Sequence, residues 1–148
     1  MKKRAVLVAV LGSALAALLA GTAMAGPSTD HSPLTAQIGE GKGQVTIATT
    51  PVDKGTFVAQ VTANVQGTSP NTLFSLQRAV DPAGDGTCDA LGAYEEQGTF
   101  TTSPAGSGAL HVERHQPVPS GLTVDVVERA VGADGTILIS ECMTVTIK

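Results

Sequence analysis

In residues 122–148, apolar and polar side chains alternate on either side of a single turn. Leu122, Val124 and Val126 alternate with Thr123 and Asp125. After the turn, Ile137, Ile139, Met143, Val145 and Ile147 alternate with Leu138, Ser140, Cys142, Thr144 and Thr146. A period of two puts every second side chain on one face, so each arm is a half-buried strand. Gly132-Ala133-Asp134-Gly135 supplies the residues that tolerate positive φ, as a tight hairpin needs. The hairpin argues for a β-sandwich and carries Cys142, one of two cysteines.

At the other end, Lys2, Lys3 and Arg4 precede an apolar run from Ala5 to Ala20, which closes on Gly-Thr-Ala-Met-Ala at Ala25. A basic start, an apolar centre and small residues at Ala23 and Ala25 make residues 1–25 a signal-peptide helix cleaved after Ala25. The competing reading, an uncleaved anchor, is weakened by Gly12, Ser13, Gly21 and Thr22, which dilute the run. Removing 25 of the 148 residues leaves 123, a common size for one domain. That mature chain has six basic against thirteen acidic side chains, a net charge of −7. Such a chain repels nucleic acid and anionic lipid, so neither nucleic acid nor, after cleavage, a membrane is an expected partner.

Cys88 and Cys142 are an even pair in a chain expected to be exported, and such pairs normally form a disulfide. The domain has little aromatic mass: Phe57, Phe74, Phe100, Tyr94 and no Trp. The cross-link offsets part of the burial that aromatic rings would supply. In the last strand the apolar series is odd-numbered while Cys142 is even, so regular alternation points the cysteine away from the core. The favoured expectation is a regular strand, with the loop at 81–92 folded over the outer face to reach Cys142. The alternative is a bulge at Ser140-Glu141 that turns Cys142 inward.

Residues 26–43 are rich in Gly, Pro, Ser and Thr without a sustained period, and read as a flexible leader before a single domain at 44–148. Strands are expected at 44–49, 56–66, 72–80, 98–102 and 109–115, followed by the two arms of the hairpin. In the third, Phe74 and Leu76 face the core and Arg78 lies near the rim. The Gly-, Pro- and Asp-rich stretch at 81–92 is the longest loop, and the Pro-rich stretch at 116–121 is another. Seven short strands separated by turns, with no helical period after the signal, favour an all-β, immunoglobulin-like antiparallel β-sandwich.

Gly-Thr-Phe-Thr-Thr-Ser at 98–103 and the Gly-rich turn at 104–108 resemble hairpins of bacterial extracellular immunoglobulin-like or transthyretin-like modules. The whole sequence is also similar to small secreted proteins of high-GC Gram-positive bacteria. The resemblance implies a module that binds or spaces rather than catalyses. Its partner would be an extracellular protein or a component of the cell envelope.

Three further patterns bear on chemistry. On a strand, His111, Glu113 and His115 share one face, and imidazole with carboxylate suits zinc or copper. Strand rise separates His111 from His115 by roughly 13 Å, so Glu113 with one of them would need ligands from another strand. Asp81, Asp85 and Asp89 recur in a Gly-rich loop that could bind, although the spacing is not that of an EF-hand. Glu95 and Glu96 point to opposite faces if extended, which is wrong for acid–base work on one bond. No Gly-x-Ser-x-Gly elbow occurs, and no residue pattern calls for a cofactor. Three functions therefore enter the structural comparison. The first is a non-catalytic interaction or structural module. The second is a metal-binding protein or metal-dependent enzyme using His111, Glu113 and His115. The third is an extracellular protease inhibitor that uses the loop at 116–121 or at 81–92.

Overall fold

The computed structural model describes residues 28–53, 56–116 and 121–147. The expected signal helix at 1–25 and most of the Pro-rich loop lie outside these residues. Nine strands follow in order: β1 (Ser28–Ile38), β2 (Lys42–Asp53), β3 (Thr56–Gln66), β4 (Leu73–Asp81), β5 (Glu95–Thr101), β6 (Gly108–Gln116), β7 (Thr123–Gly132), β8 (Ile137–Ser140) and β9 (Met143–Thr146). All pair antiparallel in one sheet of order β5-β4-β7-β8-β1-β2-β3-β6, with β9 also on β7. The expected division into two packed sheets is replaced by one sheet nearly closed into a barrel. β6 lands beside β3 and β7 beside β4, so the connections β3–β4 and β6–β7 are Greek-key crossings. Alternation assigns the faces of each strand, but it does not say which strand lies beside which.

β3 shows the simplest local logic. Phe57, Ala59, Val61, Ala63 and Val65 are buried, while Gln60, Thr62, Asn64 and Gln66 are exposed. The interior is completed by Leu34 of β1, Val45 and Ile47 of β2, and Leu138 of β8. The rings of Phe74 and Phe100 stack with centroids 5.6 Å apart. A smaller apolar cluster of Phe57, Ala59 and Ile147 sits toward one end.

The expected flexible leader at 26–43 instead holds β1 and the start of β2. β1 is paired on both sides, with Ser28–Thr35 opposite β2 and Leu34–Ile38 opposite β8. Its buried residues are Ser32 and Leu34, only one of them apolar, and Asp30 shares their face, so the period-two signal is too weak to register.

The last strand is interrupted. Arg129 faces Ile139, whereas Val126 faces Met143, so two residues of β7 lie opposite three of the partner strand. The extra residue is a β-bulge that reverses the parity. Before it, Leu138 and Ser140 point inward; after it, Met143, Val145 and Ile147 do. Ile137 and Ile139, expected in the core, are half-buried on the outside. The hydroxyls of two inward serines stitch the break: Ser32 Oγ accepts from Glu141 N–H, and Ser140 Oγ accepts from Glu128 N–H, each at 2.9 Å.

The two ends of the barrel differ. At one pole Thr68 N–H and Oγ1–H both donate to Gly106 O, and Thr102 N–H donates to Thr72 O. Gly106, at φ +72°, is required there, because a Cβ would come within 2.1 Å of Thr68 O. β5 and β6 leave a shared turn at this pole without forming a ladder together, and the side chains of Leu110 and Val112 close the seam against Gly98. The opposite pole is open and contains a cavity.

Candidate ligand-binding cavity

The cavity at the open pole has a volume of about 300 Å³. Ile47, Phe57, Ala59, Val124, Val126, Val145 and Ile147 form an apolar wall; Thr49, Arg78, Glu95 and Gln97 supply polar groups. Val80 and Leu122, also on the wall, are large apolar side chains left 38% and 39% exposed at the mouth.

Arg78 enters through strand parity. In β4, Phe74 and Leu76 point inward, and Arg78 follows in the same even series. In β7, Glu128 follows Val126 and precedes Ala130 on the inner face. The ladder places Arg78 directly opposite Glu128, and Arg78 Nε donates to Glu128 Oε1 at 2.6 Å. The Glu128 side chain has no exposed surface and that of Arg78 is 17% exposed. The residue expected near the rim is thus half of a buried ion pair. Burial pushes the Glu128 carboxyl above its ordinary value, against the opposing pull of the Arg78 charge. The pair is incompletely satisfied: Arg78 Nη2 and Glu128 Oε2 are buried without a hydrogen-bond partner.

β5 completes the polar side. Gly98 faces Leu76 and Glu96 faces Gln77, so Gln97 is an extra, bulged residue. The bulge places Glu95 opposite Arg78 on the cavity side. Glu96 points outward and accepts from Ser75 Oγ–H at 2.7 Å. The two glutamates do lie on opposite faces. Across the open seam, Arg114 Nη2 donates to Gln97 O at 2.9 Å.

Cys88 and Cys142 form a disulfide, with Cα atoms 5.8 Å apart. Cys142 is exposed, and the bond pins the loop at 82–94 to the outer face of the sheet. The loop therefore goes where the regular-strand expectation placed it, although the strand is bulged. Beneath it Asp81 and Asp125, directly opposite each other, are both fully buried. Asp81 accepts from the N–H groups of Ala83 and Ala90; Asp125 accepts from Gly86 N–H and Thr144 Oγ1–H. Backbone donors from the loop thus solvate two carboxylates that strand parity had already turned outward. Of the three candidate loop aspartates, Asp81 is consumed in this way. Asp85 is exposed, and its carboxyl is held below its ordinary range by the hydroxyl and then the amide of Thr87; Asp89 is exposed. Among the described residues the three carboxylates form no group arranged to hold a metal ion.

His111, Glu113 and His115 lie on the exposed outer face of β6, as their spacing required. His111 Nδ1 is 2.9 Å from Thr62 Oγ1, Glu113 Oε2 accepts from Gln60 Nε2–H, and His115 Nε2 is 3.3 Å from Glu113 Oε1. His111 and Glu113 meet the polar residues across the ladder, Thr62 and Gln60, whereas His115 faces Val58 and meets Glu113 on its own strand. Among the described residues no group of three or more His, Cys, Asp or Glu is arranged to hold a metal ion.

A second hollow of about 470 Å³ lies at the tied pole, beside Glu40, Thr68, Ser69, Asp134 and Thr136. Its polar groups serve one another: hydrogen bonds from Ser69 and then Thr136 hold the Asp134 carboxyl below its ordinary range.

The sequence did carry a signal for the residues it left out. Arg78 and Glu128 each interrupt an apolar series of one parity, with opposite charge. Two such interruptions in one small core must meet or be expelled. Comparison with protein-family models, with curated proteins and with solved structures gives no match for the chain.

Proposed function

We propose that this chain is an exported, non-catalytic binding module, of the kind implied by its resemblance to bacterial extracellular immunoglobulin-like and transthyretin-like domains, and that it takes its ligand at the open end of the barrel. The cavity of about 300 Å³ carries this reading. Its wall is mostly apolar, with a few polar groups gathered on one side, which is the composition of small-molecule sites. Covering Val80 and Leu122 at the mouth would remove apolar surface from water at about 25 cal/mol per Å². Export is supported by the basic-apolar-small pattern of residues 1–25 and by the disulfide, a bond that persists in oxidising compartments.

The test is a titration of the purified protein with N-phenyl-1-naphthylamine, an uncharged dye that fluoresces in apolar surroundings. The expected result is saturable fluorescence that is lost in Val124→Phe, whose ring would occupy the cavity, while the β-sheet circular dichroism is retained. No saturable binding, or binding unaffected by the substitution, would rule the cavity out as the site.

A further inference from the structure

Resting on the reading that the open pole is the binding site, we propose that its ligand is a small amphiphilic cation. Its apolar body, about one ring in size, sits in the cavity, and its ammonium group is held at the wall by Glu95. Strand pairing is the starting point. Arg78 lies directly opposite Glu128 on β7 and directly opposite Glu95 on β5, so one guanidinium stands between two glutamates. It is committed to the first, with Arg78 Nε 2.6 Å from Glu128 Oε1 and the Glu128 side chain wholly buried. The second is left over. Glu95 is exposed and lines the cavity. Among the described residues its carboxylate has no ion pair and no hydrogen bond; Gln97 Nε2–H donates to its backbone carbonyl instead. Arg114, across the seam, is engaged with Gln97 O rather than with Glu95.

Charge then selects the head group. Two charged residues line the cavity: Arg78, which Glu128 neutralises, and Glu95, which nothing neutralises. An ammonium beside Glu95 gains Coulomb attraction while it stays partly in water, so it avoids the desolvation cost of a charge carried into the apolar interior. A carboxylate in the same place meets like charge. The formal charge of the whole chain, −4, also favours a cation during encounter. The wall sets the body: Ile47, Phe57, Val126 and Ile147 offer only apolar contact, and about 300 Å³ is at the lower end of the range for small-molecule sites.

The experiment compares three probes with nearly the same body: 2-phenylethylamine, 2-phenylethanol and phenylacetate. Affinity for the purified protein at pH 7 and low ionic strength is read by NMR from the methyl resonances of Val124 and Val126, which line the cavity. The amine is expected to bind roughly threefold more tightly than the alcohol, and the alcohol more tightly than the carboxylate. Added salt should shrink the amine's advantage, because the pair it makes is exposed. In Glu95→Gln, with the β-sheet circular dichroism retained, that advantage should vanish. Equal affinity for amine and alcohol in the wild type would show that Glu95 does not select the head group. Tightest binding of phenylacetate would show that the Arg78 charge dominates the wall, and an amine preference that survives Glu95→Gln would place the cation elsewhere. Each of these results overturns the proposal but leaves the cavity as a binding site, provided that the alcohol shifts the two valines saturably. Failure of all three probes would remove both readings.

Discussion

Burial and ion pairing pull the Glu128 carboxyl in opposite directions, and burial wins: its pKa lies above the ordinary glutamate value of 4.5. A raised folded pKa means that between 4.5 and that higher value the native state holds more protons than the unfolded chain. Stability from this group is therefore fully present below 4.5 and is lost as pH rises through the folded value. Arg78 and Glu95 lie on this inner face near Glu128, strand pairing also puts Asp30 and Arg114 on it, and the Ser140 hydroxyl meets the Glu128 amide. The expected outcome is that the stability of wild type relative to Glu128→Gln falls as pH rises from 4.5, measured by urea unfolding at a series of pH values. The lowered pKa values of Asp85 and Asp134 act below 3.8 and do not share this window. A relative stability that instead grows with pH above 4.5 would mean that attraction to Arg78 outweighs desolvation.

At the scale of elements, the bulge between β8 and β9 and the loop at 82–94 depend on each other. The bulge leaves Glu141 and Cys142 both exposed, which turns the thiol outward to meet Cys88. The loop in turn covers Asp81 and Asp125, which would otherwise be paired carboxylates on a sheet surface. Tyr94, where the loop ends, lies over the Arg129 guanidinium at 3.6 Å from the ring centroid. Fifty-four residues separate the two cysteines. On the chain-entropy model, cutting such a closure costs about 4 kcal/mol. Reduction should therefore lower the free energy of unfolding by about that amount, read from denaturant midpoints with and without reductant. Hydrogen exchange should speed up first at the Gly86 and Ala90 amides, which bind the buried aspartates, and later in β2 and β3. Faster exchange in β2 and β3 with the Gly86 and Ala90 amides unchanged would show that the disulfide does not pin the loop.

For the whole molecule, the first strand sets how late the chain can begin. Ser28, the first residue of β1, already pairs with Thr49, and Thr49 lines the cavity. A cut after Ala25 leaves this strand whole, whereas a cut several residues later would remove the strand that pairs with Thr49. If residues 1–25 act as the proposed signal peptide, the mature protein should begin at Gly26, and an intact mass of secreted material that retains Met1 would refute the proposal. Both Greek-key crossings bring strands distant in sequence side by side, so the open pole is assembled from β2, β3, β4, β5, β7 and β9 together. No single segment contains the site.

The sequence by itself determined what depends on neighbours along the chain. Alternation set the faces of β3, β4 and β6, Gly- and Pro-rich runs set the turns, and two cysteines with no competitor set the disulfide. It did not determine the closure of nine strands into one sheet, the pairing of β1 on both sides, or the parity reversal after Ser140. Those depend on which strand lies beside which, and a period of two is the same for every partner. Arg78 and Glu128 show the difference most directly. Each is a charge in an apolar series, fifty residues apart. Only the β4–β7 ladder puts them face to face, and only the barrel removes their water.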